Sequence, residues 1–262
     1  MSDILSDLDL GDASPSDPVR EIQAGLKKVL PKRFYKQASV IPAADGGFAV
    51  ALDGKPVRTP SRQELAVADA DLAAALAAEW EAQTDKIDPA TMPLTRMINT
   101  AIDAVSTAQE AVFEDILRYA GSDLLCYRAD GPEALVAREA EHWDPHLDWA
   151  ASQGARLVLA EGIIHVEQPA EAIRAIAVLL RRYAKPLQLT ALHTITTITG
   201  SLVLALALAE GKAEPAEIWA AAHVDEDFNI SQWGEDHEAA ARRAKRLIDF
   251  EAAALILSAC KT

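Results

Sequence analysis

The segment from Leu187 to Ala209 leaves this chain the fewest options. It is strongly apolar and ends in Ser201-Leu202-Val203-Leu204-Ala205-Leu206-Ala207-Leu208-Ala209. A helix that is apolar on every side belongs either in a bilayer or at the centre of a protein core. Gln188, His193 and several threonines interrupt the segment, and its unbroken part falls well short of the ~20 apolar residues that span a membrane. One central core helix is therefore expected, with Gly200 and Ser201 inside it and Ser201 as a packing residue. Such a core needs other helices around it. Half of the 262 residues are apolar, with few aromatics and abundant alanine, and alanine loses no side-chain entropy on entering a helix.

The hydropathy period divides the chain. Residues 29–68 read as a β-rich N-terminal domain. Phe34 to Ile41 is extended, Ala44-Asp45-Gly46-Gly47 turns, and Phe48 to Leu52 is a strand. Asp53-Gly54 is a hairpin signal because both positions tolerate positive φ. Val57-Arg58-Thr59 and Glu64 to Val67 supply further strands. From Asp69 the period becomes helical: Leu72, Leu76 and Trp80 share one face. Thr107 with Glu110 has the form of a capping box. Pro132 to Gln153 reads as a helix containing Pro145, residues 157–166 as a short hairpin, and the remainder as helices. The fold expected is α+β: a disordered acidic tail over 1–28, a small β-rich domain over 29–68, and a larger multi-helical domain over 69–262.

A formal net charge of −15 repels nucleic-acid phosphates and anionic lipid surfaces, so neither is an expected partner. Cys126 and Cys260 form no CxxC pair, which suits a reducing, cytoplasmic setting. The N-terminus shows no basic start followed by an apolar stretch, so no secretion signal is expected.

Catalytic patterns are sparse. Gly211-Lys212 lacks the upstream glycine of a phosphate-binding loop, and neither GxGxxG nor GxSxG occurs. His142 and His146, at i and i+4 with Glu141 and Asp144 nearby, could chelate one ion from a helical face. They define the alternative reading, a helical metal-dependent hydrolase. Pro145 between them distorts the turn that would align the rings, and no third ligand is indicated. His193 is expected to be a core histidine satisfied by a neighbouring hydroxyl or carbonyl. No catalytic residue, metal or cofactor is assigned.

The densest polar cluster adjoins a tryptophan: Asp225-Glu226-Asp227, then Trp233-Gly234-Glu235-Asp236-His237-Glu238. Two readings stand. Glu235, Asp236 and Glu238 can serve the first turn of the last helix, where negative charge meets the positive end of the helix dipole, with Glu238 pairing to Arg242. Alternatively, Trp233 is a partner-binding anchor and Asp225, Asp227, Glu235, Asp236 and Glu238 form its acidic rim.

Six segments taken in order carry a family likeness: RFYKQASV (33–40), VALDGKPVRTP (50–60), EWEAQTDKIDPATMPLTRMINTAID (79–103), DLLCYRA (123–129), HWDPHLDWA (142–150) and DEDFNISQWGED (225–236). Together they resemble the ATP synthase assembly chaperones of mitochondria and alphaproteobacteria that bind the alpha subunit. The resemblance implies a non-enzymatic protein, a β-rich part followed by a helical part, and binding of the unassembled alpha subunit until the beta subunit arrives. It also implies functional carboxylates just after the Trp-Gly pair, here Glu235, Asp236 and Glu238. Nothing in the chain calls for self-association, so a monomer is expected.

Overall fold

The computed structural model describes residues 30–44, 46–161 and 166–260. The acidic tail expected over 1–28 lies outside the described residues. Four strands come first: β1 (Ala38–Pro42), β2 (Phe48–Leu52), β3 (Lys55–Pro56) and β4 (Ala66–Val67). β2 pairs antiparallel with all three others. Asp53 and Gly54 adopt φ of 48° and 78°, the sign that a two-residue hairpin turn between right-twisted strands requires. The Asp53 carboxylate also accepts the backbone N–H groups of Lys36 and Gln37 at 3.0–3.2 Å, tying the entry to β1 to this turn. The outer edge of β1 is blunted: Ala38 N–H donates to Glu81 Oε2 at 2.6 Å, and Pro42 has no N–H to offer.

Helix α1 (Ala70–Glu81) is capped by Asp69, whose side chain accepts from Leu72 N at 2.8 Å. Its buried residues Leu72, Ala73, Leu76 and Ala77 lie on the helical face that packs on β1, β2 and β4. Four consecutive residues of β2, Ala49 to Leu52, are buried, so the central strand is covered on both faces rather than alternating in and out of solvent. Tyr35 Oη donates to the Trp80 carbonyl at 2.6 Å. Glu79 accepts from Leu94 N, Thr95 N and the Thr95 hydroxyl at 2.7–2.9 Å. That places a carboxylate on the orphan N–H groups that open α2 (Pro93–Asp103), where charge opposes the dipole.

The described residues divide into two compact units, one ending at Thr95 and the other beginning at Arg96. The expected boundary between 68 and 69 therefore moves to the start of α2. The reason is packing: α1 buries its apolar face on the sheet, and the sheet has no other described helix to cover it within that unit. A change of hydropathy period marks a change of secondary structure, not of domain.

The second unit continues with α3 (Gln109–Arg118), a strand β5 (Tyr127–Arg128), α4 (Glu133–Ser152), a strand β6 (Ala160–Glu161) and α5 (Ala170–Leu180). Then follow α6 (Pro186–Thr199), α7 (Leu202–Ala209), α8 (Pro215–Ala222), α9 (Val224–Trp233) and α10 (His237–Ala259). β6 pairs parallel with β5, so the described part of 157–166 pairs with a distant strand; residues 162–165, where the expected hairpin turns, lie outside the described residues. Gln168 closes this segment by exchanging two hydrogen bonds with the Val158 backbone at 2.8 and 2.9 Å. The capping box expected at Thr107 and Glu110 does not form. Ala108 is the N-cap residue of α3, Thr107 donates back to the Ala104 carbonyl, and Glu110 instead accepts from Arg181 at 2.7 Å.

The apolar core segment is two helices, not one. Gly200 ends α6 with φ of 70°, a left-handed C-cap that only glycine adopts without cost. Ser201 then N-caps α7, its hydroxyl accepting from Leu204 N at 3.0 Å. All eight residues of α7 are buried, so water cannot reach the N–H groups at its start. Asp123, itself fully buried, supplies the acceptor: it takes Val203 N–H at 3.0 Å and Leu125 N–H at 3.2 Å. Burial pushes the Asp123 carboxyl up to about 6, against the lowering effect of these donors and the Ser201 hydroxyl. Among the described residues, no helix is long and apolar enough to cross a membrane.

Candidate functional site

Three consecutive helices build the corner that carries the Trp-Gly pair. α8 starts with a capping box, Glu214 and Glu217, and Pro215 in its first turn. It leads into His223, which is buried and donates from Nδ1 to the Trp219 carbonyl at 2.7 Å. Burial lowers the His223 pKa, so the ring is the neutral tautomer with its proton on Nδ1. Trp219 stacks between His223 and Phe250, at 4.0 and 5.3 Å between ring centres, and this cluster fixes where α9 begins. α9 then runs to Trp233.

Gly234 turns the chain with φ 86° and ψ 172°, a region essentially closed to residues with a Cβ. The helix therefore stops abruptly, and Trp233 is left 87% exposed. Two residues later Asp236 N-caps α10, accepting from Ala239 N at 2.8 Å.

The structure sorts the six residues singled out in the sequence. Asp227 forms an ion pair with Arg243 of α10 and thus staples α9 to α10. Asp225 shares a hydrogen bond with Glu139 of α4, a buried carboxyl that also accepts the Ala129 N–H at 3.0 Å. Burial raises the Glu139 pKa; the Ala129 N–H lowers it and the neighbouring Asp225 charge raises it further. Asp236 is a helix cap. Glu238 lies 3.6 Å from Arg242, both largely exposed, a pair of small energetic weight. Glu235 is exposed and accepts no hydrogen bond from the described residues. The two readings of the acidic cluster therefore divide by residue: Asp225, Asp227 and Asp236 are engaged in the fold, whereas Trp233, Glu235 and Glu238 face solvent.

Trp233, Glu235 and Asp236 come together on one groove of about 440 Å³ between α9 and α10. Glu226 and Ile230 of α9 line it as well, with Arg243 on its α10 side. Glu226 belongs to the acidic cluster of the sequence but not to its expected rim, and Ile230 is not among the expected site residues, although 226, 230 and 233 recur at i, i+4 and i+7 and so define one helical face. Asp225, Asp227 and Glu238 do not line the groove.

The alternative histidine pair gains no third ligand. His142 and His146 lie on the continuous helix α4, Asp144 is held by Arg128 at 2.6 Å, and Trp143 between them is buried with its indole N–H on the Ala221 carbonyl. Among the described residues, no group of three or more His, Cys, Asp or Glu side chains could hold a metal ion. His193 is paired with Asp115 at 3.1 Å, a carboxylate where a hydroxyl or carbonyl was expected. Neither Cys126 nor Cys260 is in a disulfide, and burial pushes Cys126 up to about 12, which leaves it inert.

Three likenesses bear on this architecture. The family model described as ATP12 chaperone protein matches residues 32–151. The crystal structure of a candidate chaperone from Agrobacterium tumefaciens superposes with a TM-score of 0.85 at 53% identity, covering 95% of this chain and 93% of that one. The crystal structure of Atp12 from Paracoccus denitrificans superposes with a TM-score of 0.79 at 40% identity, covering 88% of this chain and 99% of that one. The Trp233 corner lies beyond the span of the family model, so its role rests on its own geometry. Both units of the fold, by contrast, are placed by relatives matched over nearly their whole length: the chain belongs to the ATP12 chaperone family.

Proposed function

We propose that this chain, as an ATP synthase assembly chaperone, binds the unassembled alpha subunit of the F-type synthase head and keeps it from aggregating until the beta subunit takes its place. The observation that carries the reading is Trp233, 87% exposed at the mouth of an acid-rimmed groove. Monomeric proteins rarely hold a tryptophan in water, whereas tryptophan is enriched at the anchoring points of interfaces. Around it, Glu235 is an exposed carboxylate that accepts no hydrogen bond from the described residues, suited to steer a basic region of a client. An orphan subunit of an obligate complex exposes a large apolar face, and covering part of that face requires no covalent chemistry. The chaperone acts as a monomer in the bacterial cytoplasm.

Release follows from competition. The sequence carries no phosphate-binding loop, so hydrolysis in this chain does not drive it. A beta subunit that binds the shared face ~3 kcal/mol more tightly displaces the chaperone about a hundredfold. The test mixes purified alpha subunit with this protein and follows aggregation by light scattering, then adds beta subunit without nucleotide. Suppression near equimolar ratio and displacement by beta subunit are expected. An alpha subunit that aggregates equally fast with and without the protein defeats the client assignment.

A further inference from the structure

We infer that the β unit carries a second docking groove, for a partner protein segment in which an aromatic or aliphatic anchor sits next to a carboxylate. The groove encloses about 420 Å³ and is walled by Phe34, Tyr35, Val57 and Trp80, with Lys55 and Arg58 also lining it. That volume accommodates a short segment rather than a whole interface.

Phe34 is the first observation. It is 76% exposed, while its neighbour Tyr35 is buried. The exposure does not come from slack backbone. On one side, the Arg33 guanidinium donates to the carbonyls of Tyr35, Lys36 and Glu81 at 2.8–3.1 Å and pairs with the Glu81 carboxylate. On the other, Lys36 and Gln37 donate their N–H groups to Asp53. The Phe34 ring packs edge-on against Tyr35 at 5.4 Å and 82°, and Tyr35 against Trp80 at 6.0 Å and 60°. A large apolar side chain held out from a backbone pinned on both sides is a preorganised anchor, with little ordering entropy left to lose on binding.

Charge is the second observation. This chain is strongly acidic, at −15 overall, yet the groove's uncommitted charges are positive. Among the described residues neither Lys55 nor Arg58 forms an ion pair. The Arg58 guanidinium donates to the Arg62 carbonyl at 3.0 Å, a neutral acceptor. The carboxylate that lines the groove, Asp53, is already occupied by the two backbone donors. Two cations against one carboxylate that already accepts two backbone donors leave the groove net positive beside an apolar wall, which selects a segment carrying Asp or Glu over one carrying Lys or Arg.

This inference goes beyond the alpha-subunit reading and does not depend on the Trp233 corner. Its test uses the full chain and three fluorescein-labelled peptides of equal length. One has Phe flanked by Asp and Glu, one has Phe flanked by Lys, and one keeps the acids with Ser in place of Phe. Fluorescence anisotropy is expected to show the acidic Phe peptide binding at least about tenfold more tightly than either control, with the advantage lost at high salt. Phe34→Ser removes that binding without lowering Tm, Lys55→Glu with Arg58→Glu inverts the charge preference, and Trp233→Ser leaves it unchanged. Equal or undetectable binding of all three peptides overturns the proposal, as does binding that ignores the Phe34 and charge variants or that is abolished by Trp233→Ser. Sedimentation showing a dimer that Phe34→Ser dissociates assigns the groove to a second copy of this chain and overturns it too. None of these outcomes bears on whether alpha subunit is bound, which the aggregation assay reads separately.

Discussion

Two triple variants separate the structural from the interactive role of the carboxylates that follow Gly234. In the first, Glu235, Asp236 and Glu238 become Ala; in the second they become Gln, Asn and Gln. Both remove the same three charges, but only the first removes the cap. Asp236 is the one of the three that holds the helix, through Ala239 N at 2.8 Å, and losing an N-cap acceptor costs about 1 kcal/mol. The exposed Glu238–Arg242 contact at 3.6 Å adds little, and Glu235 accepts nothing from the described residues. The alanine triple should therefore lower Tm by about 2–4 °C. Asparagine caps as well as aspartate, so the amide triple should melt within about 1 °C of the parent. If the carboxylates also meet a client, both triples weaken alpha-subunit binding by about tenfold or more, and most of that loss disappears at high salt. Calorimetry and a binding titration on the same preparations read the two effects. Binding that is unchanged in the amide triple and reduced in the alanine triple only as far as its stability falls would refute the interface role and leave these residues as a cap.

Four further outcomes follow from the same geometry. Trp233→Ser should leave thermal stability within about 0.5 kcal/mol and weaken client binding by at least about thirtyfold, as loss of an aromatic anchor does; equal binding by the variant refutes the anchor. Gly234→Ala should cost ~1–3 kcal/mol, and the cost is conformational because an added Cβ meets nothing within 4 Å; an unchanged urea midpoint is the contrary result. The Asp123 carboxyl has its ordinary value of 3.8 raised to about 6 by burial, so between these values the folded state holds a proton that the unfolded state has lost. Its contribution to stability is present below pH 3.8, declines as pH rises through 6, and is ~3 kcal/mol smaller above that window. Asp123→Asn should remove this pH dependence from urea unfolding curves while destabilising the fold, because its amide N–H₂ faces either Val203 N–H or Leu125 N–H. Lastly, protein purified without a chelating tag should carry less than stoichiometric metal, and His142→Ala with His146→Ala should bind client like the parent; stoichiometric zinc or iron lost in that double variant would revive the hydrolase.

Much of this architecture was legible because it is local. Positive φ at Asp53 and Gly54 follows from turn chemistry alone, and the buried face of α1 at Leu72 and Leu76 follows from the helical period.

What the sequence by itself determined, then, is what each stretch of backbone does and which side chains are apolar. Only tertiary structure decided which partner reaches each polar group. Gly200-Ser201 could have continued a helix; it breaks because Asp123, 80 positions away, arrives to satisfy the buried amide of Val203. Glu110 could have closed a capping box with Thr107, but Arg181 claims it from a distant helix. α1 reads like the first helix of the helical domain, yet the sheet beneath it buries its apolar face. In the acidic cluster, Arg243 takes Asp227 and Glu139 takes Asp225, which leaves Trp233 and Glu235 to the solvent. Backbone geometry and hydrophobicity act between near neighbours along the chain, whereas charges and hydrogen-bonding groups are satisfied by whichever group folding brings within about 3 Å.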